Sequence, residues 1–283
     1  MRQLIVTGDD FGLATPVNEA IEEAHRHGIL TTASLMVNAG AAEDAVERAK
    51  RLPALKVGLH LVLVEGRPLL PPGTVPALVN EHGAFSSRLV RAGCTFFFRP
   101  GVRGQLESEI RAQFEAFKRT GLQLDHVNAH NHMHLHPTIL ALILKVGKEF
   151  GLRAIRLPHE PLMPSWRAAG NGFLPRFFAW VALAPWTSLL KLKLRMAGIR
   201  TNDFVFGLHD SGHLTSQLVA GFLKQLPQGV TEIYFHPATR RCPEVDGTMP
   251  DYEHEREFEA LTNEDIKELV ATSGIHRVAF SEL

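Results

Sequence analysis

Asp9 and Asp10 stand side by side in Thr7-Gly8-Asp9-Asp10-Phe11-Gly12, directly after a short apolar run. Two adjacent carboxylates can divide their labour, one holding a metal while the other takes a proton. An aspartate ahead of a helix can also act as a simple N-cap. His60 lies in Gly58-Leu59-His60-Leu61, where a lone histidine can equally be a satisfied core residue. The densest signal is the stretch from His126 to His136, with five histidines in eleven positions and His130, His132, His134 and His136 at period two. Read as extended chain, that spacing aims alternate imidazoles to one side, which suits a borderline metal. A solvated histidine-rich turn is the alternative. His236 in Tyr234-Phe235-His236-Pro237 and Arg156 in Ile155-Arg156-Leu157 complete the set. Arg156 can orient a carboxylate or a sugar, or pair with a surface acid.

The elements that would hold these residues alternate. Strand-like runs cover Leu4 to Thr7, Ala33 to Val37, Lys56 to Val64, Leu124 to Ala129, Ala154 to Leu157, Thr231 to Phe235 and Arg277 to Phe280. Helical spacing covers Asn18 to His27, Ala41 to Leu52, Gln105 to Thr120, Pro137 to Phe150 and Asn263 to Thr272, with Leu106, Ile110, Phe114 and Phe117 on one face of the third. Such alternation predicts parallel strands with covering helices. Seven or eight units favour an α/β fold closed into a (β/α) barrel, complete or incomplete. Every residue named above then falls at a strand end, where barrels build their sites. The expected organisation is one domain over residues 1–283, with insertions over the barrel mouth at 68–104 and 166–200.

Composition narrows the classes. The chain has 283 residues, 45% of them hydrophobic, and its 30 Lys+Arg balance its 30 Asp+Glu. A nucleic-acid partner is not expected without a basic excess. Cys94 and Cys242 have no metal-type spacing and suggest no disulfide framework. With no signal-like N-terminus, the expected location is cytoplasmic. Phe173 to Leu194 carries Phe177, Phe178, Trp180, Trp186, Lys191 and Lys193. Such a segment suits a lid, a subunit interface or a peripheral contact with the inner membrane. Spanning is not expected, because Pro185 interrupts the apolar run.

Together the Asp9–Gly12, Gly58–Leu61, His130–Pro137 and Phe235–Ala238 motifs resemble those of the YdjC-like carbohydrate deacetylases, in order along nearly the whole chain. The resemblance implies a (β/α) barrel of the glycoside hydrolase/deacetylase class and a divalent-metal enzyme that removes acetyl groups from N-acetylated sugars. Within the family the likeness is greatest to the branch associated with hopanoid biosynthesis, which implies an N-acetylglucosaminyl lipid as substrate. It further implies Asp10, His60 and His130 as metal ligands, with His134 in reserve. Asp9 is implied as general base and His236 as the second catalytic group, with Arg156 orienting Asp9 or the sugar. The family points to magnesium, whereas imidazole ligands favour zinc on chemical grounds. A homo-oligomer, as a dimer, is the expected assembly. Two rivals remain. A glycosidase needs two carboxylates flanking the sugar, and a non-catalytic metal- or sugar-binding protein would leave Asp9 without a task.

Overall fold

β1 (Arg2–Phe11) organises the sheet, with Leu4, Ile5 and Val6 all inaccessible to solvent. A strand apolar on both faces belongs inside a parallel sheet covered by helices. The computed structural model describes the backbone of residues 1–283 and the side chains of all but residues 90, 91 and 100. The remaining strands are β2 (Thr32–Leu35), β3 (Lys56–Leu61), β4 (Leu124–Ala129), β5 (Phe204–Phe206), β6 (Gly229–Phe235) and β7 (Ile275–Arg277). Their order is β4-β3-β2-β1-β6-β5, every pairing is parallel, and β7 joins the first residues of β1. The sheet curls into an incomplete barrel. Between β4 and β5 the gap is crossed by the isolated parallel bridges Val127–Ile155 and Ala154–Arg200. The expected strand at Ala154 to Leu157 is thus a pair of bridges, and the last strand lies earlier than the expected Arg277 to Phe280, at Ile275–Arg277, with Phe280 opening a 3₁₀ turn.

Helices α1 (Thr15–His27), α2 (Ala42–Lys50), α3 (Leu89–Phe98), α4 (Pro100–Arg119) and α5 (Pro137–Glu149) lie in the first half of the chain. The second half contributes α6 (Leu162–Ala169), α7 (Phe173–Met196), α8 (Ser216–Lys224), α9 (Pro243–Thr248), α10 (His254–Thr262) and α11 (Glu264–Thr272). α4 buries Leu106, Ile110, Phe114 and Phe117 as the spacing predicts. It starts a turn earlier than expected, because Gly101 and Gly104 face open space, where each costs only about 1 kcal/mol. The 68–104 excursion holds a short 3₁₀ turn at Pro72–Thr74 and α3. α7 runs through Pro185 without ending, contrary to the expected interruption. The proline forfeits one backbone bond, while Ala184, Thr187, Leu190 and Leu194 keep the flanking turns packed.

The barrel interior is polar. Thr7 donates to Glu232 at 2.6 Å, Thr32 to Asp125 at 3.2 Å, and Ser34 lies 3.2 Å from the His126 ring. Phe280 stacks on His126 at 4.5 Å and the backbone N–H of Ser281 donates to Asp125, closing the end of the barrel remote from the site.

Candidate metal centre

Successive side chains on a strand point to opposite faces, so Asp9 and Asp10 should not reach one cavity. A bulge resolves this. Gly8 pairs with Ala33 and Phe11 with Leu35, leaving one extra residue on β1. Asp10 takes it up with a φ of +59°, a left-handed conformation that aspartate tolerates better than most residues. Both carboxylates then face inward, 2% and 1% exposed.

They meet different partners. Asp9 receives Arg156 through Nη1 and through Nη2 at 2.9 Å, and Asn128 Nδ2 at 3.2 Å. The other edge of the same guanidinium holds Glu232 at 2.7–3.0 Å, and Arg156 Cζ lies over the Tyr234 ring, 4.7 Å from its centroid. Burial pushes the Asp9 carboxyl up, but Arg156 more than offsets this and keeps it well below the usual carboxylate range. Arg156 is itself inaccessible to solvent and saturated by two carboxylates. It therefore positions Asp9 and has no edge left for a sugar.

Asp10 faces imidazoles. Its Oδ1 lies 3.3 Å from His60 Nε2 and 3.4 Å from His130 Nδ1. One ligand atom from each of Asp10, His60 and His130 falls within 4.8 Å of the others, and all three residues are buried. Hydrogen bonding fixes the tautomer of His60. Asn128 Nδ2 donates to Asp9 and to Ser34, so its Oδ1 is the acceptor for His60 Nδ1–H at 2.7 Å. The Nε2 lone pair then points at a carboxylate. Two acceptors face each other there, and neither His60 Nε2 nor either Asp10 oxygen has a hydrogen-bond partner. A cation resolves that arrangement, and the donor set of one carboxylate and two imidazoles fits a divalent one.

On its far side, His130 Nε2 lies 3.5 Å from Glu65, which also accepts from Asn131 at 2.7 Å. Burial opposes charging His130, but Asp10 and Glu65 outweigh it and push its pKa up to about 10. A carboxylate behind a ligating histidine is a common way of orienting the ring.

The histidine run is not extended, which corrects the period-two expectation. His130–Leu135 is a 3₁₀ segment with Asn131 and His132 both at φ +52°. The four rings therefore diverge. His130 alone joins the cluster. His132 Nε2 lies 3.1 Å from the Tyr234 hydroxyl, which donates to the carbonyl of Gly207. His134, the reserve ligand, is buried away from the cluster with neither ring nitrogen bonded, and its pKa is depressed to about 3 by burial. His136 turns outward to the carbonyl of Gly93 on α3.

His236 faces the cleft from the end of β6. Its backbone N–H donates to the buried Glu257 at 2.5 Å and its carbonyl accepts from His254, which fixes the turn. Its ring packs between Tyr234 and Tyr252 with Nδ1 unpartnered, and burial lowers its pKa to about 4. Asp9, His60, His130, His132, Tyr234 and His236 all line one cleft of about 420 Å³. Beyond Glu65, His130 and Thr248 it adjoins a larger groove of about 710 Å³.

Glu65, Glu232, Glu257 and Asn128 belong to this centre but were not among the expected site residues. Two of them carried a readable signal. Glu232 is an acid inside the strand-like run Thr231 to Phe235, and such a charge needs a buried partner. Glu65 follows a strand end, the same address as the other site residues.

Fold and site define an incomplete parallel α/β barrel carrying a carboxylate–imidazole cluster that could hold a cation at the C-terminal ends of its strands. The chain belongs to the YdjC-like protein family, whose profile matches residues 3–272. It is 33% identical over 286 residues to a carbohydrate deacetylase of Brevibacillus brevis, covering 99% of each chain. It is 32% identical to a carbohydrate deacetylase of Geobacillus stearothermophilus, covering 99% of this chain and 98% of the relative. Among solved structures, a protein of Enterococcus faecalis V583 described as a candidate cellobiose-phosphate cleavage protein shares the fold. Its TM-score is 0.78 at 24% identity, covering 99% and 98% of the two chains.

Proposed function

We propose that this chain is a metal-dependent carbohydrate deacetylase that hydrolyses the N-acetyl group of an amino sugar. The observation that carries the reading is the buried Asp10–His60–His130 cluster, whose facing acceptors lack hydrogen-bond partners and whose two imidazoles line one cleft with Asp9 and His236. Two full-length relatives that are carbohydrate deacetylases support the reaction class.

Asp10, His60 and His130 would hold the ion, with Asn128 and Glu65 orienting the two rings. Such an ion supplies Lewis acidity toward the acetyl carbonyl and acidifies water. The rest is done by the chain itself. Asp9, kept ionised and fixed in direction by Arg156 and Asn128, accepts the proton of the attacking water. The amine leaves only when protonated. His236, uncharged near neutral pH and with Nδ1 free, takes up a proton from solvent and delivers it to the sugar nitrogen, while Asp9 returns its proton to solvent. The flanking Tyr234 and Tyr252 confine its ring to one orientation.

Within this class the motif likeness to the hopanoid-associated branch favours an N-acetylglucosaminyl lipid. The same likeness favours magnesium, whereas the imidazole donors favour zinc. A cytoplasmic dimer is the accompanying expectation. The test is acetate release from chitobiose, free N-acetylglucosamine and an N-acetylglucosaminyl lipid, with and without chelator. Chelator-sensitive acetate from at least one is expected. Chelator-insensitive release of free sugar, without acetate, would replace the reading with a glycosidase.

A further inference from the structure

α7 is seated on the barrel by one stripe. Ala184, Leu190 and Leu194 are buried, Thr187 bonds His159 at 2.8 Å, and Trp186 Nε1 donates to the carbonyl of Leu135. The rest of the helix faces out and is apolar. Leu174 is 63% exposed, Phe178 66%, Leu192 53% and Met196 73%. Among the described residues it is the one helix long and apolar enough to cross a membrane by length and composition alone. Its buried stripe and its cations describe a helix lying along a surface instead.

A second patch adjoins the same loop. Phe97 and Phe98 at the end of α3 are 57% and 73% exposed. His136, next to Leu135 in the chain, holds α3 through the carbonyl of Gly93 and through Phe96 and Phe97. The two excursions therefore meet the rim of the barrel at neighbouring residues.

Charge singles out the same two segments. The chain as a whole is neutral. Yet residues 161–202 contain Arg167, Arg176, Lys191, Lys193, Arg195 and Arg200 and no Asp or Glu. Residues 82–106 contain Arg88, Arg91, Arg99 and Arg103 and again no acid. Arg167, Lys193, Arg195, Arg88, Arg99 and Arg103 are exposed. A surface that shows Phe, Leu and Met among exposed cations matches the interface of an anionic bilayer, where aromatics enter the headgroup layer and basic side chains meet phosphate. A nucleic acid would leave the apolar side chains uncovered.

We infer that α7 and the end of α3 form one docking surface for anionic lipid membranes, placed at the mouth of the candidate active site. The link to the mouth is covalent and ionic. Leu89, the first residue of α3, lines the cleft. Arg176 of α7 bonds Asp210 at 2.6 Å, next to the cleft residue Ser211. Docking would set the opening against the headgroup layer, where a lipid-linked amino sugar is presented. The docking itself stands on the surface alone, and only this last step rests on the deacetylase reading.

Flotation of the full chain tests it, with vesicles of phosphatidylcholine alone and of phosphatidylcholine mixed with phosphatidylglycerol, at low and high salt. Binding is expected only to the mixed vesicles at low salt. It should weaken at least about 30-fold in Lys193→Glu/Arg195→Glu, from the lost attraction of two basic residues, and should also weaken clearly in Leu174→Ser/Phe178→Ser. Acetate release from soluble chitobiose should be unchanged in both variants, and it reads the deacetylase assignment separately. Absence of binding to the mixed vesicles would overturn the proposal. So would a dimer in solution that Leu174→Ser/Phe178→Ser converts to monomer, since a second copy would then cover the face.

Discussion

Arg156→Met should destabilise the protein, and by an amount that depends on pH. The guanidinium is fully buried and neutralises Asp9 on one edge and Glu232 on the other. Methionine fills much of the same space and leaves two carboxylates buried without a cation. Breaking a buried pair in this way costs about 3–5 kcal/mol. At roughly 2–4 °C per kcal/mol for a chain of this size, the midpoint should fall by about 6 to 20 °C. The sign with pH follows from Asp9. In the wild type its folded pKa lies below the unfolded one, so its contribution is present above the unfolded value and is lost as pH falls through the folded one. In the variant burial loses its main opponent and raises the folded pKa above the unfolded one. The penalty is then absent at low pH and grows as pH rises through that window. Glu160 and Glu257, both pushed up to about 7 chiefly by burial, also lose stability as pH rises from the unfolded carboxylate range toward 7. They do so in both proteins and cancel in the difference. Denaturant unfolding of both proteins at pH 5 and pH 8 should therefore show the larger gap at pH 8. Adding Asp9→Asn and Glu232→Gln to the variant should close most of it. A gap under about 1 kcal/mol, equal at the two pH values, would refute the idea that Arg156 is held by charge neutralisation.

Asp9→Asn should retain metal and lose about 10²–10⁴ of turnover, whereas His60→Ala should lose both. Metal analysis beside an acetate assay separates the two, and near wild-type turnover in Asp9→Asn would end its assignment as base. Gly58→Ala should cost about 1–3 kcal/mol, because its Cβ would lie 2.4 Å from the His126 ring. That ring cannot move aside, being held by Asp125 at 2.9 Å and stacked on Phe280. A melting midpoint equal to wild type would mean that the barrel relaxes there. Metal binding near neutral pH should release about one proton, since His130 is charged in the metal-free site and must lose its proton to ligate. Affinity should then rise about tenfold per pH unit below pH 8. Calorimetric titration in two buffers of different ionisation heat measures this, and a pH-independent affinity would refute it.

The barrel was legible where both faces of a strand are covered. Leu4 to Thr7 and Lys56 to Val64 read as strands because a largely apolar or β-branched run has few other stable environments; the second ends earlier, at Leu61, and Leu124 to Ala129 forms its strand although it carries Asp125, His126 and Asn128. β5 is only three residues long and did not stand out between α7 and α8. The 68–104 excursion read as irregular because Gly and Pro dominate it, yet α3 forms within it from Leu89 to Phe98. Pro185 read as a stop for a similar reason. In both cases tertiary packing outweighed a local propensity of a few kcal/mol.

The site was legible by address and less so by direction. Asp10, His60 and His130 fall at strand ends, and the barrel brings those ends together. What periodicity cannot report is where a side chain points once the backbone leaves its regular form. Asp10 reaches the cluster only because a bulge rotates it, and His132 and His134 leave it only because Asn131 and His132 turn left-handed. The two departures have one consequence. They separate neighbouring residues of like chemistry into different tasks: Asp10 faces the imidazoles and Asp9 the guanidinium, while His130 faces Asp10 and His132 faces Tyr234. A regular strand would have kept Asp9 and Asp10 on opposite faces of the sheet, and an extended histidine run would have crowded several uncharged rings onto one carboxylate. Left-handed residues other than glycine cost about 1–3 kcal/mol each. Among the described non-glycine residues they are Asp10, Glu65, Asn131 and His132, and all four belong to the cation centre or its immediate support. Left-handed backbone outside glycine is thus concentrated at the residues that aim side chains into the candidate centre or away from it.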